Sequence, residues 1–424
     1  MGRYTWTLVT LAACGLFCFS CTSSGGSDSP GYSAGGAGGA DAGTGAMGGS
    51  AGAGGSAGAG GSAGSAGAGA SAGAGGSAGA GGSAGGTGGV SGAGGNAGTG
   101  GSGPACGGSC PTGYTCQTAN GIDVCRAKSG VPLFSHVFTI LMENTSYATL
   151  LKAMNGSGAP NLAKLAQNHA TGSNYHGVAH PSLPNYIALT SGRTQGISCD
   201  CNPTGSPCNT LNCNALIHTC GCNKAATNLG DQLDTAKVSW KAFGENMGTA
   251  CNLSSSGNYA VRHIPFVYYD NIQKNASRCK AHVVDLSNFS PSTAPRFTYI
   301  APNLVHDMHD PFPATAQNIK NGDSWIGPAV NAILASPAYK QGGLLVVVWD
   351  EDDLSGGVTG TDDPIPLFLA SPYAKSGGYV SKLKADHYSL LATLEDGLGL
   401  SRLGNAATKR AGIADTLSDY FPAK

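Results

Sequence analysis

Three acidic clusters, each standing directly behind an apolar run, are the residues in this chain best suited to chemistry. Glu143-Asn144 follow Ile140-Leu-Met142. Asp350-Glu351-Asp352-Asp353 follow Leu344 to Trp349. Pro302-Asn303, then His306-Asp307-Met308-His309-Asp310, follow Phe297 to Ile300. Carboxylates and an amide suit a hard or borderline divalent ion. A single such cluster reads more readily as a solvated cap or turn. Three of them, each behind a buried-strand pattern, read as one site.

A nucleophile candidate lies in His180-Pro181-Ser182-Leu183-Pro184-Asn185-Tyr186. Two prolines bracket Ser182 and restrict the backbone around it. Tyr186 to Leu189 begins a helix-like run, which puts Ser182 near a helix N-terminus. Backbone N–H groups and the helix dipole favour an anion there, either an alkoxide or a phosphoryl oxygen. A bound metal lowers a hydroxyl pKa. The competing reading is a plain N-cap serine.

The elements that must position these groups are legible as apolar runs. Strands are expected at His136–Met142, Trp240–Phe243, Phe297–Ile300, Leu344–Trp349 and Ile365–Ala370. Helices are expected at Leu162–His169, Trp325–Ser336 and His387–Leu398. Continuous apolar strands separated by helices predict an α/β fold, a mostly parallel central sheet with helices on both faces. Ligands bind beyond the carboxyl ends of such strands, where the acidic clusters fall.

Taken in order, the quoted motifs resemble a known family. Met142-Glu143-Asn144, His180-Pro-Ser-Leu-Pro-Asn-Tyr186, Pro302-Asn303, Asp307-Met308-His309-Asp310, Trp349-Asp-Glu-Asp-Asp353 and Asp386-His387-Tyr388-Ser389-Leu390 are similar to those of the bacterial phosphoesterases. That family includes acid phosphatases and phospholipases C, within the alkaline phosphatase superfamily. The resemblance spans roughly residues 134–410. It implies an alkaline-phosphatase-like fold, Ser182 as nucleophile, and Glu143, Asn144, Asp350 and Glu351 as ligands of a divalent metal ion. It also implies that His180, Asn185 and His263 contact the substrate phosphate, and that His309 or His387 protonates the leaving group. His306, and Ile264 after His263, depart from the family pattern. The Cys199–Cys222 segment looks like a variable insertion that shapes specificity. His136, His169, His176 and His218 are read as core or surface residues.

The rest of the chain concerns location. Many of the 69 glycines fall between Gly25 and Gly103, in runs almost free of charge. Such a stretch cannot bury enough apolar surface to offset its ordering entropy, so residues 21–104 are expected to be a disordered linker. Residues 1–20 read as a signal peptide, with Cys14 or Cys21 as a lipidation site. That places the protein outside the cytoplasm, as a cell-envelope lipoprotein on a lipid anchor or as a secreted protein. Of the 15 cysteines, twelve remain beyond Cys21, an even number suited to disulfides in an exported chain. A zinc site is the rival for Cys199-x-Cys201 and Cys220-x-Cys222, though C-x-C is atypical spacing for zinc. Residues 105–127 read as a small Cys-rich module and 131–424 as the phosphoesterase domain. The net charge of -1 and the lack of a basic run exclude a nucleic-acid partner. The expected partner is a phosphate-ester small molecule or a phospholipid. An acid-phosphatase-like monoesterase leads. A phospholipase C or other diesterase is the alternative, and a non-catalytic surface protein is the reading from another class.

Overall fold

The computed structural model describes residues 106, 109–207, 220–310, 315–353 and 363–422. The expected signal peptide, linker and lipidation cysteines lie outside the described residues, as do Cys208, Cys213 and His218. In chain order the elements begin with a hairpin of β1 (Tyr114–Ala119) and β2 (Ile122–Ala127). Then come β3 (Val137–Met142), α1 (Tyr147–Asn155), α2 (Pro160–Asn168), β4 (Ala170–His176) and α3 (Ser182–Ser191). The middle holds β5 (Asn202–Pro207), α4 (Leu229–Thr235), β6 (Trp240–Gly244), α5 (Asp270–Gln273), α6 (Ala276–His282), β7 (Val283–Asp285) and β8 (Phe297–Ala301). Last come α7 (Ala316–Ala335), α8 (Pro337–Lys340), β9 (Leu344–Trp349), β10 (Ile365–Ala370), β11 (Val380–Ser381), β12 (Ala385–Asp386) and α9 (His387–Leu398).

Nine strands form one sheet in the order β11-β4-β10-β9-β3-β8-β6-β7, with β12 also pairing with β4. Every residue of β3, β8, β9 and β10 is buried, so both faces of the sheet are covered. This is why these strands read as unbroken apolar runs. On the helical layers, α1, α2 and α7 pack on one another, and α3 packs with α9 and α4. The sheet is parallel except for β10, which runs antiparallel to both β9 and β4. An apolar run carries no sign of direction, so that reversal was not readable in advance. Two reversals restore the sense, and β3, β4, β6, β8, β9 and β12 all end at the same edge.

Two elements differ from expectation. Strand β4, Ala-Thr-Gly-Ser-Asn-Tyr-His, is too polar to announce itself. Its Ser173 and Asn174 side chains donate to the carbonyls of Ser381 and Lys382 along the neighbouring edge segment, at 3.0 and 3.2 Å. Helix α7 starts nine residues before Trp325, at Ala316, because Thr315 caps it by accepting from the Asn318 N–H. Its polar first half includes Gly322, where a Cβ would stand 2.4 Å from Met308 Cγ.

The Cys-rich module is a hairpin closed by Cys106–Cys116 and Cys110–Cys125. It is not separate from the main body. Val124, Cys125 and Arg126 are buried, Leu133 N–H donates to the Cys125 carbonyl, and Arg126 Nη2 donates to the Pro422 carbonyl at 2.9 Å. Cys201–Cys222 and Cys251–Cys279 are also bridged, and Cys199 and Cys220 are disulfide-bonded. Disulfides, not zinc, are the state of these cysteines.

Candidate active site

The carboxyl edge of the sheet gathers groups from five strand ends. Glu143 and Asn144 follow β3, Asp307 and His309 follow β8, and Asp350 and Glu351 follow β9. His180 and Ser182 follow β4, and His387 follows β12. Two of these turns are backbone-strained. Asn144 (φ 29°) and Met308 (φ 85°) adopt left-handed conformations that side chains other than glycine's rarely take. Each costs on the order of 1–3 kcal/mol, a strain that concentrates at functional sites. Met308 is fully buried against Gly322, which has no Cβ to obstruct it.

Ser182 is the first residue of α3, whose ten residues are all buried. The His180–Pro181 peptide is cis. Ser182 Oγ donates to Glu143 Oε2 at 2.9 Å, with Glu351 Oε1 at 3.3 Å. Asn144 Nδ2 donates to Glu351 Oε1 at 2.8 Å, and its N–H donates to Asp350 Oδ1 at 3.1 Å. Tyr186, one turn along α3, donates its hydroxyl to Glu143 Oε1. The serine and all four expected metal-ligand residues are thus linked in one hydrogen-bonded group.

Asp307 completes the acidic set. It stands in the Asp307-Met308-His309-Asp310 motif. Its carbonyl accepts from Glu143 N–H at 2.9 Å, and it is fully buried. Burial pushes all four carboxyls up. Asp307 and Asp350 go well above the carboxylate range, with Glu143 adding repulsion to each. Glu143 is raised by burial, against the pull of His309 and Arg262. Glu351 rises to about 7, again by burial, against its hydrogen bond to His180. Three buried oxygens here, Asn144 Oδ1, Asp307 Oδ2 and Asp350 Oδ2, have no hydrogen-bond partner. Among the described residues, the groups whose ligand atoms all lie within 4.8 Å of one another are cysteine trios. The carboxylates are spread more widely, as mutually repelling groups are.

The histidines divide into different jobs. His180 Nδ1 lies 2.8 Å from Glu351 Oε2, and its Nε2 lies 3.5 Å from Asp352 Oδ2. Burial opposes its cation, but the two carboxylates outweigh burial and hold His180 above its usual pKa. His309 sits beside the cluster with Nδ1 on Asp310 Oδ1 at 2.5 Å. His387 is fully buried. Its Nε2 is 2.6 Å from the Asp350 carbonyl, so that nitrogen carries the proton, and its Nδ1 takes the Tyr175 hydroxyl at 2.9 Å. Both ring nitrogens are thus engaged within the chain, and burial depresses the pKa of His387.

Two of the expected phosphate contacts, Asn185 and His263, have partners within the chain. Asn185 Oδ1 accepts from the N–H groups of Val178 and Ala179, and its Nδ2 donates to the Ala179 carbonyl and Glu351 Oε2. It ties down the loop before Ser182. His263 stacks on Tyr186 with centroids 5.3 Å apart, 3.1 Å from Glu143 Oε1. Burial, then Arg262 and His309, drive its pKa well below the usual value. The cation on that loop is Arg262, which lies in the field of Glu143, Asp200, Tyr186 and Asp307. A lone arginine beside a motif histidine offers little signal in sequence.

The phosphoesterase family model matches residues 142–401. A phosphatidylinositol-3-phosphatase of Mycobacterium tuberculosis is 30% identical over 295 residues, covering 69% of this chain and 86% of the relative. An acid phosphatase of Aspergillus fumigatus is 25% identical over 290 residues, covering 64% of this chain and 56% of the relative. The chain therefore spans little more than half of that fungal relative's length. A solved alkaline-phosphatase-superfamily structure from Vibrio parahaemolyticus superposes with a TM-score of 0.44 at 12% identity, covering 71% of this chain and 75% of the other.

Proposed function

Because the chain belongs to the phosphoesterase family of phosphoric ester hydrolases, we propose that it is a metal-dependent phosphomonoesterase acting through Ser182. The observation that carries this reading is the serine hydroxyl at the head of α3, bonded to Glu143 and Glu351 from two different strand ends. The names of the mycobacterial and fungal relatives, all phosphatases, support a monoester over the phospholipase C or diester alternative.

The donor set fits a hard divalent cation. Four buried carboxyls and an amide meet at one sheet edge, and three buried oxygens, Asn144 Oδ1, Asp307 Oδ2 and Asp350 Oδ2, make no hydrogen bond. Glu143, Asn144, Asp350 and Glu351 would hold the ion, with Asp307 adjoining. When bound, the ion neutralises the cluster and lowers the pKa of the serine hydroxyl.

Ser182 Oγ releases its proton to water and attacks phosphorus in line, the bond to the leaving oxygen breaks, and a phosphoserine forms. His309, oriented by Asp310, gives its proton to the leaving alkoxide. Arg262, and His180 beside Glu351 and Asp352, face the equatorial oxygens as hydrogen-bond donors. Water then attacks the phosphoserine, releasing phosphate and restoring the hydroxyl. Purified Ser182→Ala should lose at least about a thousandfold of p-nitrophenyl phosphate turnover. Equal turnover at equal metal content removes the serine from this role. Full chelation with EDTA should abolish turnover, and survival of activity without metal ends the metal assignment.

Export is part of the same proposal. The bridged cysteines support an oxidising compartment. Among the described residues no helix is long and apolar enough to cross a membrane.

A further inference from the structure

The Cys199-Asp200-Cys201 segment reaches the nucleophile from the cysteine-rich insertion. Cys201 is bridged to Cys222, and its carbonyl accepts the Tyr268 hydroxyl at 2.7 Å. Asp200 is held just before that anchor. Its Oδ1 accepts the Leu183 N–H at 2.8 Å, and its Oδ2 lies 3.7 Å from Arg262 Nε. Leu183 is the second residue of α3, next to Ser182. Arg262 Nε is buried and has no hydrogen bond.

A helix-start N–H and a guanidinium beside a nucleophile are the donors a phosphoryl group would use. Here they face a carboxylate of the chain itself. We propose that Asp200 is a specificity-determining residue: a resident carboxylate that competes with phosphoryl oxygens for the Leu183 N–H and Arg262, and so weakens binding of dianionic phosphate at Ser182. This deepens the proposed function and rests on Ser182 being the phosphoryl acceptor. A phosphate dianion, as substrate or as product, must displace Asp200 or share its donors against like charge. A monoanionic ester meets about half of that repulsion. The site therefore sorts ligands by charge and sheds inorganic phosphate more readily than its donors alone would allow.

Asp200→Asn keeps an oxygen for the Leu183 N–H and removes the charge. A like charge removed from about 4 Å at a partly solvated site strengthens anion binding by roughly tenfold or more. Calorimetric titration of inorganic phosphate into the metal-supplemented full chain, as Ser182→Ala and as Ser182→Ala with Asp200→Asn, should show that fall in Kd. With Ser182 intact, Asp200→Asn should lower the KM for p-nitrophenyl phosphate more than that for bis-p-nitrophenyl phosphate. Unchanged or weaker phosphate binding, or equal KM shifts for both esters, overturns the proposal. Asp200→Ser, which keeps a neutral acceptor, supplies the same readout if the asparagine variant does not fold. Failure of the serine reading is separately visible, as undiminished turnover in Ser182→Ala.

Discussion

At the scale of single residues, motif histidines separate by what their nitrogens already hold. His309 holds Asp310 through Nδ1 and is the proton donor of the proposed mechanism, whereas His387 spends Nε2 on the Asp350 carbonyl and Nδ1 on Tyr175. His309→Gln should therefore cut turnover of an alkyl phosphate by roughly 10²–10⁴-fold, and that of p-nitrophenyl phosphate far less, since a good leaving group needs little protonation. His387→Gln should lower both by a similar factor, because it shifts the Asp350 main chain and not the proton supply. Steady-state rates on the two esters separate these cases. Asp307, buried against Glu143 and with Oδ2 unpartnered, should matter to the ion. Asp307→Asn is expected to weaken metal binding about 10–100-fold, read by titration of the apo protein. An unchanged metal affinity would make Asp307 a purely structural group.

At the scale of elements, α3 and α9 show how burial sets both chemistry and stability. All ten residues of α3 are buried, so Ser182 is presented on a helix packed on every side. In α9, Glu395 is buried with its Oε2 unpartnered, and burial lifts its pKa from 4.5 to about 9. A carboxyl raised in the folded state stabilises most below its unfolded pKa, and that contribution is lost as pH rises through the folded value. Stability should thus fall by up to roughly 1.4 kcal/mol per pH unit from this group between about 4.5 and 9. Glu395→Gln cannot ionise, so its melting temperature should gain on the wild type as pH goes from 6 to 9. A constant difference across that range would contradict the assignment.

At the scale of the whole molecule, the hairpin belongs to the body that carries the site. Arg126 reaches the Pro422 carbonyl and Tyr114 reaches the Asp396 carbonyl, so the first and last described segments are tied together. A chain beginning at residue 131 should melt several degrees below one beginning at 105, and should expose the surface around Phe134. Differential scanning calorimetry of the two fragments tests this, and equal melting points would make the hairpin an appendage. Much of this architecture was legible in sequence. The runs Leu344–Trp349 and Ile365–Ala370 are strands at those same bounds, and His387–Leu398 is a helix at those bounds. Apolar continuity and helical spacing report burial directly. The acidic residues after each strand were legible for the same reason, since polar groups next to a buried run must lie at its edge. Strand direction, the polar strand β4, and the meeting of Asp200, Arg262 and Asp307 around Ser182 were not. Those depend on which distant segments the sheet order and the Cys201–Cys222 bridge bring together, and pairwise approach across elements leaves no periodic trace along a single chain. The sequence alone thus determined the apolar strands, the acidic ends and the place of Ser182 near a helix start. Only the tertiary structure decided which charges face that serine, because that follows from topology.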